Sequence, residues 1–366
     1  MFKMIQSIKP KQNHLDEKMT INLGSFYTPK ILVSKAYELL EKYIKNLKEY
    51  TFLDSSCGYG DFFTQDLDYI GADIDEMALN KVKNAKSICT NSLFEVHRSK
   101  FGIKDNQKII IIGNPPYNDK TSIIRSEIKK ELHSCDEKLR HRDLGISFLR
   151  SYELLNPDFV CVLHPLSYLI KEANFKALKD FKLHFRLIDD VVVSSEFFTP
   201  KSSTFFPIII ALYEKTKQGM DYEYIKKYTF KTLEQHTFSL SQFDSINHYI
   251  CKYPNPKDTR KAVAYFHPLR DINALKRNKT FIQNPNKNAI KIFKENLKYY
   301  IYIHFFKKYA HLLPYYFGNM DIFIDNASFK SIEDELLAWF YQKKYNEEKI
   351  KTYFLHYFTN LKDKNA

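Results

Sequence analysis

The segment Ile109-Ile110-Ile111-Ile112-Gly113-Asn114-Pro115-Pro116-Tyr117-Asn118 decides how this 366-residue chain is read. Four consecutive isoleucines form a short, unbroken β-branched run, which suits a strand buried on both faces. The run stops at a glycine. Two prolines then fix φ and remove two backbone donors, leaving a stiff turn whose carbonyls are free to accept. Asn114 adds a side-chain carbonyl and Tyr117 a flat aromatic face. Such a turn can hold an exocyclic amino group by both hydrogens and stack its ring on tyrosine. The simpler reading is a rigid loop that redirects the chain.

Around this strand, Lys108–Gly113, six further segments read as strands: Thr51–Asp54, Tyr69–Asp73, Ser87–Asn91, Phe159–His164, Leu187–Val193 and Phe205–Tyr213. Helix-like stretches such as Glu76–Lys86 and Ile146–Leu155 lie between several of them. Strands alternating with helices imply an α/β layered fold with a mostly parallel sheet. Ligands in such folds bind beyond the carboxyl ends of the strands.

The first strand runs into Asp54-Ser55-Ser56-Cys57-Gly58-Tyr59-Gly60-Asp61, where a glycine pair lets the backbone turn tightly and approach a ligand. The second ends in Gly71-Ala72-Asp73-Ile74-Asp75. An acid about twenty residues beyond a Gly-rich first turn is where a nucleotide ribose is gripped through its hydroxyls. The full GxGxxG is absent, and Asp54 precedes the loop, so a ligand carrying an amino group is favoured over a pyrophosphate. The alternative is a Gly-containing turn in an ordinary α/β protein.

Asn114-Pro115-Pro116-Tyr117 after a buried strand resembles the catalytic motif of S-adenosylmethionine-dependent amino-methyltransferases. The order of elements resembles the gamma class of DNA adenine-N6 methyltransferases of bacterial restriction–modification systems, of the NPPY type. The resemblance covers Phe26 to Lys215. It implies a Rossmann-like seven-stranded methyltransferase sheet followed by a C-terminal mixed recognition domain. It places cofactor binding on Tyr27, Thr28 and Pro29, on Asp54, Gly58 and Gly60, on Asp73 and Ile74, and on Asn91 and Leu93. Pro29 suits the first position of a helix capped by Thr28. Ser55 in place of a common proline, the bulky Tyr59 and Asn91 in place of aspartate depart from the family pattern, and bear on cofactor affinity.

The resemblance assigns catalysis to Asn114, Pro115, Pro116 and Tyr117. An aromatic amine is a poor nucleophile because its lone pair is delocalised into the ring. Two acceptors, the Asn114 side chain and the Pro115 carbonyl, would favour a more tetrahedral nitrogen aimed at the methyl donor. This is positioning and electrostatics, with no metal required. A paired, stacked base must first be flipped out. Tyr117 would stack on one face of the adenine and Phe206, from Thr204-Phe205-Phe206-Pro207, on the other; Phe205 reads better as core.

Composition narrows the class. Hydrophobic residues at 44% and charged residues at 27% describe a folded chain. No apolar run approaches the roughly 20 residues of a membrane span, and the polar N-terminus lacks a secretory apolar segment, so a cytoplasmic protein is expected. Five scattered cysteines fit free thiols. The spacing of His133, Cys135 and His141 matches no common zinc site.

The net charge of +13 is uneven: residues 1–215 hold 31 Lys+Arg against 28 Asp+Glu, and residues 216–366 hold 25 against 15. Two domains are therefore expected, a methyltransferase domain over 1–215 and a target-recognition domain over 216–366. Within Cys251–Ala310, 14 basic residues face 3 acidic ones, interleaved with eleven Phe and Tyr. That stretch suits phosphate tracking with aromatic support of bases, or a lysine-rich surface over an aromatic core. A solvated helix is read over Ser122–Lys130, and one or two helices over Glu333–Phe358, with Leu336, Leu337, Phe340 and Tyr341 as packing residues.

The leading expectation is methyl transfer to adenine N6 in double-stranded DNA, with any cognate restriction endonuclease encoded separately. The same turn would serve RNA adenine or a protein glutamine amide. A DNA-binding protein with an inactive methyltransferase half is the non-enzymatic alternative.

Overall fold

The computed structural model describes residues 27–117, 135–202 and 204–363. Phe26, Asn118, the expected helix Ser122–Lys130 and His133 lie outside them. The chain divides into two compact units, Met1–Pro200 with Ile208–Ile225, and Lys201–Pro207 with Lys226–Ala366. The division falls at 225/226 rather than 215/216 because the helix Tyr222–Lys227 begins on the first unit. There Tyr222 donates its hydroxyl proton to the Ile170 carbonyl and Tyr224 to that of Leu187. The short segment 201–207 goes with the second unit.

The first unit is built on one seven-stranded sheet. Its strands are β1 (Thr51–Asp54), β2 (Asp68–Asp73), β3 (Lys86–Cys89), β4 (Ile109–Gly113), β5 (Phe159–Pro165), β6 (Phe185–Ser194) and β7 (Pro207–Lys215), in the order β3-β2-β1-β4-β5-β7-β6. The pairs β1–β2, β1–β4, β2–β3 and β4–β5 are parallel, and β7 runs antiparallel to β5. This is the expected Rossmann-like sheet. Ile109 to Ile112 are each at most 1% exposed, and burial worth about 1.5–3 kcal/mol per side chain pins β4 at the centre. Leu53 pairs with Ile111, so β1 and β4 deliver their carboxyl ends side by side.

Helix α1 (Lys30–Tyr43) lays Leu32, Val33, Ala36, Tyr37, Leu39 and Leu40 into the core at helical spacing. Its N-cap is Pro29, at φ −56° and ψ 139°, and no side chain caps it. The expected cap by Thr28 is therefore not formed, because that side chain is turned elsewhere. Helix α2 (Glu76–Leu79), capped by Asp75 on the Met77 and Ala78 amides, ends seven residues short of the expected Lys86. The chain leaves helical geometry there, with Asn84 at a φ of 61°. Helix α3 (Leu144–Leu155) starts at an Asp143 cap and is buried nearly all round.

The second unit has short two-stranded pairs, such as Ala264–Phe266 with Ile290–Ile292, around helix α5 (Leu297–Tyr309). Helix α4 (Ile272–Arg277) precedes it, and α6 (Glu333–Phe340) and α7 (Glu347–Asp363) follow. Tyr300, Tyr302, Phe305 and Phe306 of α5 are fully buried, as is Phe266. These aromatics of the basic stretch form a core instead of a base-stacking face. In α6, Leu336 is buried, whereas Tyr341, just past the helix, is half exposed and does not pack as expected.

Candidate active site

Three loops meet at the carboxyl ends of β1, β2 and β4. The first leaves β1 through Asp54, which is 2% exposed, its Oδ1 accepting the Ser56 amide at 3.1 Å. Gly58 and Gly60 sit at φ of 52° and 77°, where a side chain would be strained. A Cβ on Gly58 would meet nothing within 4 Å, so glycine is needed there for its backbone, and the space above the loop is open. The Gly58 amide donates to Asp73 Oδ2 at 2.8 Å, and the Asp75 amide to Asp73 Oδ1 at 2.9 Å. Asp73 thus ties the loop to the end of β2.

The third loop begins at Gly113, with φ of 151°. A Cβ there would lie 2.6 Å from Asp54 Oδ1, so only glycine lets the Asn114–Tyr117 turn start against that carboxyl. Asn114 follows, and its Nδ2 donates to Thr28 Oγ1 at 3.3 Å. Its Oδ1 is buried and has no hydrogen-bond partner. Ser56 Oγ and Ser92 Oγ are likewise buried without partners at the ends of β1 and β3. Ser55 Oγ and the Tyr117 hydroxyl are also buried without partners, and unpaired buried polar atoms at the carboxyl end of a sheet mark places where a ligand can supply the missing bonds. No described residue donates to the Pro115 carbonyl either.

Sequence reasoning singled out Thr28, Asp54, Gly58, Gly60, Asp73 and Asn114, and the structure brings them together. It missed Asp61. The Thr28 amide donates to Asp61 Oδ2 at 2.7 Å, so this carboxylate fastens the segment before α1 onto the glycine loop. Burial pushes Asp61 up to about 6, against the pull of that hydrogen bond. Burial also raises Asp54 well above the usual carboxylate range and raises Asp73. None of the three has a cationic partner among the described residues. Leu93 is buried, its amide bonded to Asn91 Oδ1 at 3.0 Å, whereas Ile74 is 40% exposed at the rim.

The sequence reading also missed the support beneath Tyr117. A Cβ on Gly145, in the first turn of α3, would meet Tyr117 Cβ at 3.0 Å and the Tyr168 hydroxyl at 2.5 Å. That hydroxyl bonds the Asp143 carboxylate, the same group that caps α3. An aspartate before Leu144-Gly145 signals a helix start, but nothing in sequence links it to Tyr117. Burial raises the Tyr117 hydroxyl, partly offset by the adjoining Asn114 side chain.

Phe205 and Phe206 precede β7 and belong to the second unit. Both are half buried, so Phe205 is not the core residue expected. The turn that carries them is fastened within that unit: Asn273 Nδ2 donates to the Phe205 carbonyl at 2.8 Å and Arg277 Nη1 to Thr204 Oγ1 at 2.7 Å.

No family model matches the chain, and no curated protein matches it. Among solved structures, a type I restriction–modification methyltransferase subunit from Streptococcus thermophilus is 10% identical, covering 78% of this chain and 53% of its own, with a TM-score of 0.39. A chain described as a modification subunit of a type I restriction enzyme from Vibrio vulnificus is 15% identical over 59% of this chain and 49% of its own, with a TM-score of 0.41. DrdV, solved in complex with DNA, is 13% identical over 63% of this chain and 29% of its own, with a TM-score of 0.42. The chain spans about half the length of the two modification subunits. At identities and TM-scores this low, the functional reading rests on the site itself. Among the described residues, no helix is long and apolar enough to cross a membrane.

Proposed function

We propose that this protein is an S-adenosylmethionine-dependent methyltransferase acting on adenine N6 in double-stranded DNA, with the second unit serving target recognition. The observation that carries the reading is the Asn114 amide. Its Nδ2 is engaged by Thr28, and its buried Oδ1 is left as an acceptor without a donor. The next residue, Pro115, adds a carbonyl to which no described residue donates, and two acceptors on a proline-stiffened turn suit a planar NH2 group.

The residues present fit the cofactor. S-adenosylmethionine, when bound, supplies a methyl group activated on a sulfonium. Asp54, Asp61 and Asp73 form a set of partly or wholly desolvated carboxyls that a ligand with ammonium and sulfonium charges would offset. Asp73, at the carboxyl end of β2, holds backbone amides of the loop and retains acceptor capacity for ribose hydroxyls. The open space above Gly58 admits the ligand backbone. Tyr27, Thr28, Pro29, Gly60, Ile74, Asn91 and Leu93 complete the proposed cofactor site.

At the reacting centre the chain's own work is positioning. Asn114 Oδ1 and the Pro115 carbonyl would accept the two amino hydrogens, withdrawing the nitrogen lone pair from the ring and fixing its direction. Pro116 keeps the turn rigid, and Tyr117, braced on Gly145, offers a stacking face for a flipped base. Phe206, in the second unit, is proposed as a further aromatic that stacks on a base. A separately encoded restriction endonuclease is proposed as the partner of such an enzyme.

The test offers duplex DNA, RNA and protein in parallel as methyl acceptors, with products identified by mass spectrometry. N6-methyladenine in DNA supports the reading. Methylation confined to RNA or to glutamine amides would overturn the DNA assignment while leaving the chemistry of the turn in place.

A further inference from the structure

Helix α4 carries a charge that no described residue of the second unit neutralises. Lys276 is half buried, and no described residue bonds to it or pairs with it. Burial alone acts on it, lowering its pKa with no carboxylate near enough to counter. A lysine held out of water without a counter-charge is costly unless an anion comes from outside the chain.

Its surroundings sharpen the point. Only three acids lie among the 14 basic residues of Cys251–Ala310, and all are committed. Asp258 and Glu295 both pair with Arg260, and Asp271 caps α4 on the Ala274 amide. Arg270 and Lys279, flanking α4, also have no partner among the described residues. Lys276 stands on the same short helix as Asn273 and Arg277, the i,i+4 pair that holds the Thr204–Phe205 turn, and three positions after Asn273. That turn leads directly into Phe206. The basic group and the proposed stacking ring are therefore mounted on one fastened piece of the second unit.

We propose that Lys276 binds a backbone phosphate of the nucleic acid substrate, next to the nucleotide that Phe206 stacks on. This rests on the nucleic-acid reading given above. Asn273 and Arg277 then act as positioning residues, holding the stacking turn at a set distance from the phosphate contact. A lysine bound to one phosphate displaces about one condensed counterion, so its contribution appears in the salt dependence of binding.

The experiment measures binding of the full chain to a random-sequence duplex across a range of salt concentrations. The wild type is compared with Lys276→Gln, Lys276→Arg and Lys276→Met, the last keeping the apolar stem should glutamine disturb the fold. Thermal melts check folding. The expected result is a log–log slope shallower by about 0.9 in the Gln and Met variants, with several-fold weaker binding at low salt and a smaller gap at high salt. The Arg variant keeps the wild-type slope. A folded Gln or Met variant with the wild-type slope overturns the assignment while leaving the DNA reading standing. A wild type that shows no salt-dependent binding to duplex overturns both.

Discussion

Thr28→Val isolates the contact on which the active-site account turns. Thr28 is 2% exposed, and its Oγ1 accepts from Asn114 Nδ2 at 3.3 Å. Valine matches threonine in shape and keeps the backbone bond from residue 28 to Asp61, so the cofactor loop is left in place. The lost hydrogen bond by itself is worth about 0.5–1.5 kcal/mol, roughly tenfold in rate at most. The larger effect is orientation. An unpaired amide N–H in a buried site costs about 1–3 kcal/mol, and the side chain turns to recover a partner, carrying Oδ1 away from the reacting nitrogen. We expect the single-turnover rate of methyl transfer to fall roughly 10- to 100-fold, with the melting temperature nearly unchanged and cofactor affinity by calorimetry falling far less than the rate, since residue 28 is fastened to the cofactor loop by its backbone amide. Thr28→Ser should restore most of the rate. Wild-type turnover by Thr28→Val, or a loss confined to cofactor affinity, would refute the positioning role.

Three further outcomes are expected. Asp61 is raised to about 6 by burial, and a bound cation favours its anion; cofactor affinity is therefore full above about pH 6 and falls below it, where binding must expel a proton. Calorimetry should show this step in the wild type and a smaller one in Asp61→Asn, where only Asp54 and Asp73 remain to release protons; a step unchanged by the substitution contradicts the assignment. Gly145→Ala places a Cβ 2.5 Å from the Tyr168 hydroxyl, which its bond to Asp143 prevents from swinging clear, and 3.0 Å from Tyr117 Cβ. Methyl transfer should drop at least about tenfold at a stability cost of about 1–3 kcal/mol, and an undiminished rate would remove Gly145 from the support of Tyr117. Burial lowers His164 and His304 to about 4, below the 6.5 of an exposed imidazole. The unfolded chain then takes up protons on these rings that the fold refuses, so each ring costs stability as pH falls from about 6.5 toward 4, while the raised carboxyls Asp54, Asp61 and Asp73 act in the opposite direction. The histidine contribution is read as the difference in urea stability between wild type and His304→Gln, which should shift in favour of the variant as pH falls through that window; a difference that stays constant would contradict the buried, neutral state of that ring.

The buried strands were legible in the sequence because each is a short apolar run that ends at a turn residue, a signal that the exposed edge strand β3 lacks. Ile109–Ile112 and Val160–Leu163 carry that signal with no tertiary information. The helix after β2 was read too long, since Lys81–Lys86 has helical composition but the chain enters left-handed backbone at Asn84. Asp54, Asp73 and Asn114 were legible through their place at strand ends. The roles of Thr28, Asp61 and Gly145 were not, because each depends on which loops β1, β4 and α3 bring together. Thr28 has the composition of a helix cap, and only the fold shows its hydroxyl turned to Asn114. The same limit explains the second unit, where eleven aromatics among 14 basic residues suit a stacking platform or a core equally well. The burial of Tyr300, Tyr302, Phe305 and Phe306 decides for the core in α5.

The central claim is that Asn114 directs methyl transfer to an adenine amino group. The most direct measurement is mass spectrometry of nucleosides from unmethylated duplex DNA incubated with S-adenosylmethionine and either wild-type protein or Asn114→Ala. The account predicts N6-methyladenine with the wild type and its loss with the variant, while cofactor binding persists in both. N6-methyladenine formed equally by Asn114→Ala, or no methylated base from a wild type that binds the cofactor, would contradict it.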